Sequence, residues 1–370
     1  MFLKSIKLTN FRNFENFSHN FEKNLTILFG KNAAGKTNFL EAARFLSFSK
    51  SFRADHDLDL IFWGKDFTKI QAQVKTREEN QELDLILSKK QRGIEKIIKI
   101  NNANQPVSFL IGKFISVLFS PEDMLLISGS PALRRRYLDI ILGQIDHHYY
   151  HFLLELKKVL ASRNKLLLEI KEHRADIKEL SFWDEKLVQC GAFIIKKRKE
   201  LLDFINSKIA IVYQTIAGNS GDSHQKVTVT YTPNIEFEEI AEIENNFQKE
   251  LSIKKEEEIQ KCRTLCGPHR DDFIFYLNRR KLSCFGSRGE FRSAILALKI
   301  LELDFLESRL SERPVLLLDD IFSELDSTRR VHLLSLVQKQ QTIITTTELN
   351  FISKEFVNKG EVVEIRNSEL

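Results

Sequence analysis

An α/β head assembled from both ends of the chain, with a mostly helical lobe inserted between them, follows from three observations on this 370-residue sequence. An apolar strand runs into the glycine-rich loop Gly30-Lys31-Asn32-Ala33-Ala34-Gly35-Lys36-Thr37 near the N-terminus. A second apolar strand, Val315-Leu316-Leu317-Leu318, ends in Asp319-Asp320 near the C-terminus. Between them, from Ala132 to about Tyr213, leucines and isoleucines recur at spacings of three and four, the period of amphipathic helices. The pattern predicts a head built from residues 1–122 and 262–370 and an inserted lobe over 123–261.

Taken in order, Phe2 to Leu8 alternates in strand fashion, and the run Leu25 to Phe29 stops at Gly30. The spacing then predicts a helix from Lys36 to Leu46. Short alternating runs at Ile70–Val74, Leu83–Leu87, Ile94–Ile100 and Phe114–Leu118, broken by polar turns, predict an antiparallel sheet. In the lobe, Leu153, Leu156, Val159, Leu160, Leu166, Leu167 and Ile170 mark one long helix, and Leu180 to Ile209 continues the pattern. An antiparallel helical hairpin, short and coiled-coil-like, is the expectation. A polar loop, Gly218-Asn219-Ser220-Gly221, and a strand at Val227–Tyr231 follow, and strand and helix then alternate to the end.

The loop fits G-x-x-x-x-G-K-[ST] and sits where that motif needs to sit, after a strand and before a helix. Its glycines let the chain fold around an anion, so that successive N–H groups and the helix N-terminus point at phosphates. Lys36 supplies charge, and Thr37 offers a hydroxyl to Mg²⁺. The Asp319-Asp320 strand is the second half of such a site: Asp319 joins the metal shell and Asp320 orients or deprotonates water. Ser287-Arg288-Gly289-Glu290 opens a helix whose Ile295, Leu298, Leu301 and Leu303 suit a buried face. Ser and Gly there form either an anion site or a plain helix cap.

Charge is distributed unevenly. Residues 1–120 carry 19 Lys and Arg against 12 Asp and Glu, residues 131–210 carry 16 against 11, and residues 231–260 carry 3 against 9. Two basic segments are therefore kept apart from an acidic one, an edge or partner surface. Four cysteines are few for this length, and Cys266-Gly267-Pro268-His269 lacks metal-ligand spacing, so reduced structural thiols are expected. No stretch approaches the roughly 20 apolar residues of a membrane span, and Met1-Phe2-Leu3-Lys4 leads into alternating polar residues, which makes a cytoplasmic protein the expectation.

The order of phosphate loop, Ser-x-Gly-Glu helix start and Asp-Asp strand is similar to the ABC-type ATPase heads (P-loop NTPases) of the structural-maintenance-of-chromosomes and Rad50 relatives. Finer features resemble the RecF family: Leu8-Thr9-Asn10-Phe11-Arg12-Asn13-Phe14, Leu118-Phe119-Ser120-Pro121-Glu122-Asp123-Met124, Gly129-Ser130-Pro131, Arg134-Arg135-Arg136-Tyr137-Leu138-Asp139, Gly267-Pro268-His269-Arg270-Asp271-Asp272, and Leu316 through Asp326. The resemblance spans nearly the whole chain.

It implies two heads that sandwich ATP and Mg²⁺. The nucleotide would lie on Gly30 to Thr37, Asn38 and Arg12, with Lys36 and Asp320 in the hydrolytic role and Thr37 and Asp319 on the metal. Ser287, Gly289 and Glu290 would complete the partner's site, and Asp326 would lie at the dimer seam. Asp320 stands where many relatives have Glu, and Thr345-Thr346-Thr347 where many have a switch histidine, so slow turnover is implied, with ATP a dimerisation switch. The family binds duplex DNA beside single-strand gaps and, with RecO and RecR, promotes RecA loading in recombinational repair and the SOS response. Candidate DNA contacts here are Arg134, Arg135, Arg136, Lys196, Lys197, Arg198 and Lys199, read through charge rather than base sequence.

Two other classes fit less well. A transporter's nucleotide-binding subunit calls for a glutamine where this chain has Ser120-Pro121-Glu122-Asp123, and a chromosome-structuring head calls for helical arms hundreds of residues long, where about eighty helical residues are available.

Overall fold

The computed structural model describes residues 1–54, 56–91, 93–217 and 225–366, with the side chain of Ser327 left aside. The polar loop expected at Gly218–Gly221 lies outside the described residues. The chain divides into two compact units: Met1–Met124, Val212–Asp222 and Arg292–Leu370 form one, and Leu125–Ile211 with Ser223–Phe291 the other.

The first unit carries two sheets around a shared core. One is parallel, in the order Glu361–Glu364, Leu25–Phe29, Thr342–Thr346, Val315–Asp319, Ser116–Phe119. Three of its strands, Ser116–Phe119, Val315–Asp319 and Thr342–Thr346, are buried throughout, as strands covered on both faces must be. The other is six-stranded and antiparallel, running Phe14–Asn20, Phe2–Phe11, Phe67–Lys75, Asn80–Lys90, Gly93–Ile100, Ala103–Gln105. Its strands alternate buried and solvent-facing residues, so Ile70, Ala72, Val74, Leu83, Leu85 and Leu87 all join the core. The helix Lys36–Phe48 contributes Phe39, Leu40, Ala42, Ala43, Phe45 and Leu46 to that core.

One expectation is corrected here. The run at Phe114–Leu118 does not extend the antiparallel sheet: its strand, Ser116–Phe119, pairs in parallel with Val315–Leu318 at the edge of the phosphate-loop sheet. All four of its residues are buried, which period-two alternation could not have predicted.

The second unit is built on four long helices, Pro131–Ile145, His147–Lys171, Leu180–Ala217 and Ile243–Lys261, the third continuing past the unit's boundary. Pairings Tyr149 with Arg198, Phe152 with Phe193 and Arg163 with Asp184 run in opposite directions along His147–Lys171 and Leu180–Ala217, which makes the two an antiparallel hairpin. This unit extends beyond residue 261 because Asp272–Leu277 pairs antiparallel with Val227–Thr232 and then with Arg280–Lys281. Non-local strand pairing of this kind is invisible to helical periodicity.

Candidate phosphate site

The loop at residues 30–37 is shaped by its backbone. Gly35 has φ of +107°, a conformation that favours glycine, and a Cβ there would meet Asn13 Nδ2 at 2.5 Å. Ala33 is also left-handed, with φ of 64°. Lys31, Asn32 and Ala33 are exposed while Ala34, Gly35 and Lys36 are buried, so the loop presents a rim with the lysine beneath it. Lys36 Nζ donates to the carbonyls of Gly30 at 2.8 Å and Lys31 at 2.9 Å. Burial pulls its ammonium below the usual lysine range, opposed by Asp320 and Asp319.

The two halves of the site meet through one hydrogen bond. Thr37 Oγ1 donates to Asp319 Oδ1 at 2.9 Å across 282 residues of sequence. Thr345 Oγ1 donates to the same oxygen at 2.7 Å and accepts from the Asp320 backbone N–H at 2.9 Å. Thr345 therefore fixes both carboxylate-bearing residues, a role that sequence reading missed because it weighed this threonine only as a possible base. Asp320 itself adopts a left-handed backbone, φ 48°. Its Oδ1 is buried and has no hydrogen-bond partner among the described residues. Burial raises this carboxyl above the ordinary aspartate range, with Lys36 pulling the other way and Asp319 adding to the rise.

Asn13 is a second residue that sequence reading left without a role. Its Nδ2 donates to the Ala34 carbonyl at 3.0 Å, and its Oδ1 accepts from Asn38 Nδ2 at 2.9 Å, bracing the loop from the turn between the first two strands. Arg12 beside it grips Glu41 with two bonds, Nε to Oε2 at 2.8 Å and Nη2 to Oε1 at 2.7 Å, and donates to the Asp59 carbonyl at 2.8 Å. The guanidinium is thus held next to the loop by a buried carboxylate.

Hard oxygen donors, a buried cation and an unpartnered carboxylate oxygen fit a magnesium-bound polyphosphate. Thr37 and Asp319 are the residues that would hold the ion, which when bound would neutralise phosphate charge.

In the second unit, Ser287 and Glu290 form a reciprocal capping box: the Glu290 N–H donates to Ser287 Oγ at 3.3 Å and the Ser287 N–H to Glu290 Oε2 at 2.7 Å. Ser287 remains exposed, and Gly289 follows in the first turn of the helix Arg288–Leu310. Asp326, in the first unit, caps the helix Ser327–Val337 by accepting from the Arg329 N–H at 2.9 Å, and its other oxygen pairs with the Arg329 guanidinium.

Residues 2–367 match the family described as the RecF/RecN/SMC N terminal domain. The DNA replication and repair protein RecF of Bacillus cytotoxicus is 35% identical over 372 residues, 99% of this chain and 97% of that relative. RecF of Geobacillus kaustophilus is 34% identical over 376 residues, covering 100% and 99%. The chain belongs to the RecF family. Among solved structures, the recombination mediator protein RecF-ATP in the RecFOR pathway superposes with a TM-score of 0.89 at 32% identity, over 99% of this chain and 96% of that one. The Smc head domain of Pyrococcus furiosus, at 16% identity and a TM-score of 0.54, shares the fold. No helix among the described residues is long and apolar enough to cross a membrane.

As a RecF-family chain it carries the expected arginines and lysines, but two of the expected DNA contacts are corrected. Arg134, 8% exposed, binds Asp272 through Nε at 2.6 Å and Nη2 at 2.8 Å and donates to the Gly129 carbonyl at 2.8 Å. Arg198, 2% exposed, is enclosed by Asp139 at 2.9 Å, Asp271 at 3.0 Å and the Pro268 carbonyl at 2.7 Å. Neither guanidinium can reach a DNA backbone without abandoning buried carboxylates. Arg135 is half-buried and donates to the Asp271 carbonyl at 2.8 Å. Lys197 pairs with Asp146 and Glu200, and Lys199 with Asp203. Arg136 and Lys196 lie exposed on the unit's surface.

Proposed function

We propose that this chain binds ATP with Mg²⁺ on the loop at residues 30–37, and that the bound nucleotide joins two copies into a clamp on duplex DNA. The observation that carries the reading is the Thr37–Asp319 hydrogen bond, because it unites a phosphate loop and an acidic strand end that only a nucleotide-metal site would use together. Lys36 exchanges its loop carbonyls for phosphate oxygens, and Thr37 and Asp319 hold the ion. Asp320, with one oxygen buried and unpartnered, holds the attacking water. Ser287 and Gly289 of a second copy complete the site, Glu290 holding Ser287 in place through the capping box. Asp326 lies at the seam, and Arg12 is released from Glu41 when phosphate competes for it.

Turnover is slow, since Asp320 is a shorter base than glutamate and threonine stands where a switch histidine would act. ATP therefore times assembly. DNA is held through phosphates by Arg136 and Lys196, with Arg135, Lys197 and Lys199 at their flanks, independent of base sequence. The protein acts at single-strand gaps with RecO and RecR to promote RecA loading, in keeping with relatives described as replication and repair proteins and as members of the RecFOR pathway.

Equilibrium ATP binding and single-turnover hydrolysis test the site. The expected pattern is binding by wild type, loss of binding in Lys36→Ala, and tight binding with hydrolysis lowered about 10²- to 10⁴-fold in Asp320→Asn. Undiminished ATP binding by Lys36→Ala would remove the loop from the account.

A further inference from the structure

We infer that Phe285 and the cations around it form a docking patch for the nucleotide-loaded head of a second copy of this chain. The inference rests on the dimer reading above and deepens it by naming a contact that the Ser-x-Gly-Glu pattern does not contain. Phe285, which ends the short helix Leu282–Phe285 two residues before Ser287, is 72% exposed, more than any other phenylalanine among the described residues. Its position is fixed from behind. Leu282 is 1% exposed, and a Cβ on Gly286 would meet Leu282 Cδ1 at 2.6 Å and Phe291 Cε1 at 2.7 Å, so no larger side chain fits at this position.

The neighbouring hairpin brings positive charge beside this ring. Asn278 and Arg279 both have positive φ, 49° and 66°, the two-residue turn that matches strand twist, and Asn278 Oδ1 accepts from the Lys226 N–H at 2.8 Å. This pins Arg280, whose guanidinium carbon lies 5.9 Å from the centre of the Phe285 ring. Arg279, Arg280, Lys281 and Arg288 are all exposed. Between residues 279 and 291 the one acid is Glu290, and its carboxylate is already engaged by the Ser287 N–H and Gln225. An exposed aromatic with Arg280 beside it, contiguous with Ser287 and with further exposed cations in the adjoining sequence that have no acidic partner among the described residues, suits an anionic, partly planar target, which a triphosphate nucleotide held on the partner's loop provides. Duplex DNA is the competing occupant; contiguity with Ser287 favours the second copy.

Cys284 supplies a native reporter, being exposed where Cys190 and Cys266 are buried. In a Cys262→Ser background, the rate of maleimide labelling at Cys284 is measured with Mg-ATP, with duplex DNA, and with both, alongside sedimentation. The expected result is labelling slowed at least tenfold by Mg-ATP without DNA, in step with dimer formation. Phe285→Ser is expected to weaken ATP-dependent dimerisation on the order of tenfold, with Phe285→Tyr close to wild type and ATP affinity of the monomer and thermal midpoint unchanged. Arg280→Glu is expected to act in the same direction. If wild type dimerises on ATP while Cys284 labels at its free rate and Phe285→Ser dimerises normally, the patch is not at the seam and the dimer reading survives. Protection by DNA in the absence of ATP makes it a nucleic-acid surface and overturns the inference. A wild type that stays monomeric with Mg-ATP overturns the dimer reading itself.

Discussion

At the scale of single residues, the site holds a carboxylate in an environment that resists its charge. Asp320 is raised by burial, so the folded chain binds its proton more tightly than the unfolded chain does. The stabilisation this gives is complete below the ordinary aspartate range and is lost as pH rises through the raised value. Asp320→Asn is therefore expected to melt above wild type at neutral pH, with the difference closing below about pH 4, where both forms are uncharged. Thermal melts at pH 7.5 and pH 4 check this, and a variant less stable than wild type at neutral pH would contradict it. His269 titrates in the opposite sense: burial lowers it to about 4 from the usual 6.5, and its Nδ1 is buried without a partner among the described residues. Stability from the neutral ring is full above pH 6.5 and drains away as pH falls toward 4. Urea midpoints of wild type should thus fall more steeply over that interval than those of His269→Gln.

Such residues were unequally legible in the sequence. Lys36, Thr37 and Asp319 were readable as one cluster because the loop motif and the acidic strand end each fix a residue type at one spacing. Thr345 and Asn13 were not, since a threonine in a buried strand and an asparagine in a turn have many uses, and only the fold brings them to Asp319 and Ala34. Arg134 and Arg198 misled for a related reason. Runs of basic residues read as solvated faces, whereas a helix turns every third or fourth residue inward, and here Asp272, Asp139 and Asp271 wait for them.

Among the elements, the helical hairpin of the second unit encloses a charge cluster within its apolar contacts. Arg163 has no exposed side-chain surface and binds Glu258 at 2.6 Å, Asp184 at 2.8 Å and Thr264 Oγ1 at 3.0 Å, tying both hairpin helices to the helix Ile243–Lys261. Glu258 also accepts from the Leu265 N–H at 2.6 Å. Glu258→Ala should destabilise this unit by about 3–5 kcal/mol, because it strands a buried guanidinium; a shift below about 1 kcal/mol in urea unfolding would show that water rescues the charge. The capping box predicts a smaller effect. Ser287→Ala should cost about 1 kcal/mol of helix stability, measured by the same unfolding experiment. The acidic segment counted from sequence alone gave no hint that one of its glutamates is a buried structural ligand, since burial is a property of the pairing and not of the run.

For the whole molecule, the head built from both ends of the chain was legible because the two motifs require each other. The division of the remaining residues was less so: strand pairing across Val227–Thr232 and Asp272–Leu277 carries the second unit to Phe291, a long-range contact that no local period encodes. The proposed pairing of two copies on ATP is read by sedimentation of the purified chain with and without Mg-ATP, using wild type and Ser287→Arg. ATP is expected to convert wild-type monomer to dimer, while Ser287→Arg binds ATP yet stays monomeric. A wild type that binds ATP and remains a monomer at every concentration would contradict it.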